Sequence, residues 1–529
     1  MMKLLRKLTA LPLVILGLSC CEQPEVIPGR VEPDPGPDKP AESEYADPGV
    51  KPHQDGQPYD TYRGLVMAGY QGWFGTPGDG SPMTKVPNQG WYHYRENEQF
   101  RPGPLRNSID FWPDMSEYTK KYVVGDGDAT GYSSPFILPD GTHATVFSSY
   151  DESTVLLHFK WMKDYGLDGV FMQRFVGEIQ SADHKDHFDK VLAHAMKGSN
   201  QYGRAIAVMY DMSGINSSKT AMAASMVADA QKLMDEYQLK DRGKQKYYLH
   251  ENGRPLLALW GVGFSDDNHP RPSFIESYVD QLIAQGWSIM LGCPGYWRLG
   301  GNDCVTGTEH RKLIELIKKC DAFIPWYVGR YSNDNFEGTD WQDRIKGDIA
   351  AAKTYSTEGH VVVYAPHVFP GGSDRNMHPN NGYPDGDVTQ TGFRAGGKFY
   401  WKQFYRDIKA GAQAIYVGMF DEIDEGTAIF KQMHVSEVPS NVPYKKSSVP
   451  ASYNYTTDDE YYISWTGSTY WTSSTPQSSA QWSKTTTELA IRFQGIDDNL
   501  PTDWYLFLTG EAAKMLRGET KMTATMPSR

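Results

Sequence analysis

Lys398-Phe-Tyr-Trp-Lys-Gln-Phe-Tyr-Arg-Asp-Ile-Lys409 leads through Gly411 to Ala414-Ile-Tyr-Val-Gly-Met-Phe420, and then to Asp421-Glu-Ile-Asp-Glu425-Gly426. The order is helix, turn, apolar strand and a burst of acid. Asp421, Glu422, Asp424 and Glu425 put four carboxylates into five residues. Carboxylates crowded at the end of a buried strand repel one another and lose solvation, which predicts a raised pKa for at least one. Separated pKa values are what general acid/base chemistry requires. Taken locally, a solvated acidic loop or a cation site gives the same pattern.

Upstream, the same unit recurs. Leu65–Tyr70 is a strand entering the turn Gln71-Gly-Trp-Phe-Gly75. From Asp151 a helix runs to Gly166, with Val155, Leu156, Phe159 and Met162 on one face, before the strand Val170–Met172. The helices 184–196, 220–237, 273–284, 309–319 and 341–354 lead to strands at 205–210, 256–260, 288–293, 322–326 and 360–364. Asn252-Gly253 adds a hairpin before 256–260. Alternating units with continuous apolar strands predict a parallel sheet covered by helices. About eight repeats predict an α/β fold, a (β/α)8 TIM-type barrel with its function on the loops after the strands. A doubly wound sheet would need a Gly-rich phosphate loop, and residues 71–75 lack the spacing. Ser, Thr, Tyr and Trp dominate 436–492, a long insertion between strand eight and a last helix within 503–516.

The 529 residues are 13% aromatic with a formal charge of −13, a poor match to nucleic acid. Residues 1–21 read as an export signal: Lys3, Arg6 and Lys7, an apolar core 11–18, then Ser19-Cys20-Cys21. The small residue before Cys resembles a lipobox, with either Cys20 or Cys21 lipidated. Residues 22–56 read as a disordered proline-rich tether, placing the catalytic domain at 57–520. These readings place the protein in a bacterial cell envelope, on a membrane through its lipid anchor only. Cys293, Cys304 and Cys320 show no metal spacing, and a Cys293–Cys304 disulfide suits an oxidising compartment.

On a barrel the strand ends converge on one mouth. That set is Tyr70, Trp73, Gln173, Arg174, Tyr210, Asp211, Trp260, Trp297, Trp326, His367 and the acids at 421–425. Glu422-Ile-Asp-Glu425-Gly-Thr-Ala-Ile429 resembles the E-x-x-E-G-T-x-I segment of family 99 glycoside hydrolases, the endo-α-mannosidases and endo-α-mannanases. Gly69–Gly75 and Trp91-Tyr-His-Tyr94 resemble that family's first-strand and W/Y-x-H-W/Y elements, and the chain as a whole the looser 71/99-like bacterial group. The resemblance implies a retaining hydrolase of α-linked, α-mannan-like glycans that needs no metal and no cofactor. Glu425 would be the general acid/base, and Glu422 would assist the sugar's own 2-hydroxyl. Tyr70, Trp73, His93, Asp211, Trp260, Trp326 and Arg394 are the candidate contacts for an oligosaccharide or polysaccharide. Where the family has an aromatic after strand two, this chain has Gln173-Arg174, and Asp211 stands nearest its third-strand Glu. The alternatives are a non-catalytic carbohydrate-binding lipoprotein on the same barrel, or a hydrolase of another sugar (α-glucan, xyloside or arabinoside).

Overall fold

The computed structural model describes residues 50–85, 90–94, 100, 108–124, 136–332, 336, 339–373, 376, 394–439 and 493–529. The signal, most of the tether and most of the 436–492 insertion lie outside them. Strands and helices alternate: β1 Val66–Tyr70, α1 Glu152–Tyr165, β2 Gly169–Phe175, α2 Ala182–Tyr202, β3 Ala205–Asp211 and α3 Thr220–Glu236. Next come β4 Arg254–Trp260, α4 Pro272–Gln285, β5 Ser288–Pro294, α5 Gly307–Lys319, β6 Ala322–Trp326 and α6 Thr339–Lys353. Last are β7, in two halves at Val363–Tyr364 and His367–Val368, α7 Lys398–Lys409, β8 Ile415–Val417 and α8 Trp504–Leu516.

The ladders run parallel from β1 through β2, β3, β4 and β5 to β6. The first half of β7 pairs with β6, as Val363 beside Ala322, and the second half with β8, as His367 beside Tyr416. Finally β8 returns to β1, Ile415 beside Val66, and the barrel is closed. The break in β7 falls at Ala365-Pro366, where proline has no N–H to donate; its carbonyl still accepts from Tyr416 N at 3.0 Å. The strand expected at 360–364 is therefore shorter at its start and continues past the proline. His360 instead bridges Thr357 in a turn.

Local chemistry sets the element ends. Asp151 stands at the extended N-cap of α1, but its carboxylate is taken by Lys120 and Tyr122 rather than by the helix amides. Gly166 ends α1 at φ 79°, a left-handed conformation that costs glycine least. Asn252-Gly253 makes the expected hairpin: Glu251 opposes Arg254 in antiparallel register. Aliphatic residues of β3 to β6 are wholly buried, Ile206, Leu257, Leu259, Ile289, Leu291 and Ile324 among them. Each such side chain contributes roughly 1.5–3 kcal/mol.

One expectation changes, that of the cysteines, and packing contacts reach residues on either side of the 57–520 span. Val50 is buried and His53 stacks on Tyr59 at 3.7 Å. Cys293, Cys304 and Cys320 are buried free thiols, and the Cys293 Sγ turns to the Ile324 carbonyl at 3.3 Å instead of to Cys304. At the far end, packing runs beyond 520: the Thr523 carbonyl accepts from Trp401 Nε1, and Arg529 pairs with Asp503.

Candidate active site

Past β8 the chain carries Phe420 N to the Gly69 carbonyl of β1 at 2.7 Å. It then doubles back. Thr427 N and Ala428 N bond to the Glu422 carbonyl at 3.1 and 2.9 Å, and Ile429 N to that of Met419 at 3.1 Å, closing a tight acid loop. Gly426 turns it at φ 66°, with Ser373 atoms 3.1 Å from where a Cβ would stand, so only glycine fits without strain.

The four acids have four different surroundings. Asp421 is fully buried and accepts the amides of Gln71 at 2.8 Å and Gly72 at 2.9 Å. Burial pushes its pKa up to about 7 against the pull of those amides. Its place is to hold the acid loop on the turn after β1. Glu422, 3% exposed, accepts from the Gln71 side chain at 2.6 Å and from the Thr427 hydroxyl at 2.5 Å. Burial, and then the charges of Glu425 and Asp424, raise its pKa well above the ordinary range. Asp424, also buried, bonds His93 Nδ1 at 2.9 Å. Glu425 is the member of the set with part of its surface open.

Two aromatic groups flank the mouth. Trp73, 9% exposed, is stacked by His93 at 3.6 Å and by Phe175 at 5.2 Å. Trp326, partly open, meets Trp260 edge to face at 5.2 Å and lies 4.6 Å from His367. Below them, Gln173 reaches the Tyr416 hydroxyl at 3.4 Å. Asp211 is partly open and accepts from Ser213 N at 2.8 Å; burial raises its pKa. His367 is fully buried, takes the Tyr327 amide on Nδ1 at 2.9 Å, and is driven by burial to a pKa of about 3.

Other sequence candidates stand elsewhere. Tyr70 faces α1, its hydroxyl 2.8 Å from His158 Nδ1. Arg174 and Tyr210 also point outward and share Asp229, at 2.5 and 2.6 Å. Trp297 is buried against Phe323, Tyr355 and Tyr364. Arg394 is 1% exposed and donates to the Gly426 and Ala428 carbonyls at 2.7 and 2.9 Å. With the rings of Phe111 and Tyr505 on its guanidinium, it clamps the acid loop from behind. Gln71 and Thr427, which dress Glu422, were not among the residues singled out from sequence. The signal for Gln71 is that it directly follows a strand neighbouring β8. Among the described residues, no group of three or more His, Cys, Asp or Glu is arranged to hold a metal ion.

Fold and site together define a closed (β/α)8 barrel whose eighth strand carries a pair of unlike glutamates to the mouth. No family model and no curated protein matches the chain. Among solved structures it is similar to the GH99 endo-alpha-mannosidase from Bacteroides thetaiotaomicron: 13% identity, 86% of this chain and 98% of that one covered, TM-score 0.49. It is also similar to GH5_18 from Streptomyces cattleya in complex with GlcNAc, with 12% identity, 55% and 72% covered and a TM-score of 0.36. A third is a family 39 glycoside hydrolase from the gut symbiont Bacteroides cellulosilyticus WH2, with 7% identity, 54% and 58% covered and a TM-score of 0.33. Likeness of this degree does not define a family.

Proposed function

We propose that the chain is a retaining glycoside hydrolase of α-linked glycans, α-mannan-like chains first among them, anchored to the cell envelope through lipid on Cys20 or Cys21. The observation that carries the chemistry is the contrast between Glu422, buried and dressed by Gln71 and Thr427, and Glu425, three residues on and only partly buried. Only the ionised carboxylate is a base, and both Glu422 oxygens accept hydrogen bonds, from Gln71 and Thr427, as that form requires; burial then makes the ionised Glu422 a strong base at the one hydroxyl it faces. In this reading Glu422 takes the proton from the sugar's 2-hydroxyl as that oxygen attacks C1. Glu425 gives its proton to the departing glycosidic oxygen. Water then attacks C1, loses its proton to Glu425, and the 2-oxygen recovers its own from Glu422. Two inversions give net retention.

The test uses two substrates and two isosteric variants. Glu425→Gln should lower cleavage of a natural glycan by about a hundredfold or more, yet spare much of the activity on a glycosyl fluoride, which departs without protonation. Glu422→Gln should impair both alike. Full activity of both variants would sink the proposal. Saccharide binding without turnover across mannans, glucans and arabinoxylans would leave a binding protein in its place.

A further inference from the structure

His93 is held in a way that a surface histidine does not need. Its backbone is left-handed at φ 59°, an uncommon state outside glycine. The Ser108 hydroxyl fixes its carbonyl at 2.6 Å. Its ring lies flat on Trp73, 6° from parallel, with the edge of Tyr92 at 4.8 Å. Nδ1 is 2.9 Å from Asp424 Oδ2, and the side-chain exposures are 28% for His93 against 1% for Asp424. Asp424 sits between the two glutamates in sequence, and its charge bears on Glu422. An ionised carboxylate can only accept, so Nδ1 must carry the proton. In the neutral ring the remaining nitrogen, Nε2, is then an acceptor with no hydrogen-bond partner among the described residues.

We infer that Asp424 is a positioning residue: it fixes the Nδ1–H tautomer of His93, so that Nε2 accepts a hydrogen bond from a sugar hydroxyl beside the catalytic pair. The ligand class is a neutral glycan that offers a donor hydroxyl at this point, and a deoxy or O-methyl analogue there lacks that donor. The substrate half of the inference rests on the hydrolase reading, whereas the tautomer half does not.

Two measurements on the full chain separate them. With 15N-labelled histidine, the His93 signals, assigned by their loss in His93→Phe, should show a protonated Nδ1 and an unprotonated Nε2 in the wild type. In Asp424→Asn the Nε2–H form should appear, since an amide N–H can donate to Nδ1. An Nε2–H tautomer in the wild type would overturn the inference whatever the enzyme does. The second arm is kinetic, or binding to Glu425→Gln protein where turnover is absent. His93→Phe keeps the stack on Trp73 and removes the acceptor. It should raise KM, or the Kd, by about five- to tenfold with kcat little changed. Asp424→Asn should do the same, and the double variant should be no worse than either single one. Additive losses, or a loss confined to kcat, would refute the positioning role.

Discussion

Replacing Arg394 separates a structural clamp from a sugar contact. Its guanidinium satisfies the buried carbonyls of Gly426 and Ala428, at 2.7 and 2.9 Å. Arg394→Met leaves both unpaired, at about 1–3 kcal/mol each. The cation itself is uncomfortable: burial lowers its pKa from 12.5 to about 10, and removing the charge returns up to about 3 kcal/mol. At the middle of that range the two carbonyls cost about 4 kcal/mol, so the net expected loss is about 1 kcal/mol. Arg394→Lys keeps a buried charge but gives up the planar fork that spans two carbonyls, so the conservative change should cost at least as much as methionine. Urea unfolding midpoints at pH 7 rank the three proteins. Steady-state kinetics should show kcat falling, because the loop bearing Glu422 and Glu425 loosens. Unchanged midpoints with a raised KM would mean that Arg394 touches sugar, and the clamp would be wrong.

Gly426→Ala forces a Cβ into left-handed backbone against Ser373, and should lose about 1–3 kcal/mol in a denaturation curve, with lower kcat. Asp421 has a folded pKa near 7 against an ordinary 3.8, so the native state holds the extra proton and its stability contribution falls as pH rises from about 4 to 7. Asp421→Asn removes that slope, so the variant's deficit relative to wild type should be largest at pH 5 and shrink by pH 8; a deficit that grows with pH would reverse the assignment. Replacing both Cys20 and Cys21 with Ser should release the protein from membranes at unchanged specific activity, which fractionation and an activity assay check; retention of the double variant would rule out the anchor.

The alternation of elements was legible because helix and strand differ in hydrophobic period and because glycines close the helices; α7, β6 and the Asn252-Gly253 hairpin sit where their residues place them. Which way each strand residue points was not legible. In β1 all five residues are buried, so no alternation tells inward from outward. A Cβ on Gly69 would strike Met419 and Tyr416 inside the barrel, which sends Tyr70 out to α1. The same parity separates Gln173 from Arg174. Arg394 misled for another reason: arginine near an acid motif looks like a ligand hand, and nothing local reveals that its fork closes on carbonyls 32 and 34 positions away. The acids themselves were legible as a cluster, but their division of labour depends on Gln71 and Thr427, which come into place only when β1 and β8 meet.

That meeting has a consequence for synthesis. Gln71 N and the Asp421 carboxylate it holds are 350 positions apart along the chain. As the protein leaves the ribosome, β1 is made almost first and its partner β8 nearly last, so one edge of β1 waits unpaired while the rest of the barrel is built. Loop closure over such a span is slow relative to local contacts, and an open parallel edge invites wrong pairing meanwhile. The seam between β8 and β1 is therefore both the last joint to form and the one that assembles the acids. A nascent chain stalled before residue 415 lacks not only the two glutamates but also the strand whose closure would receive them.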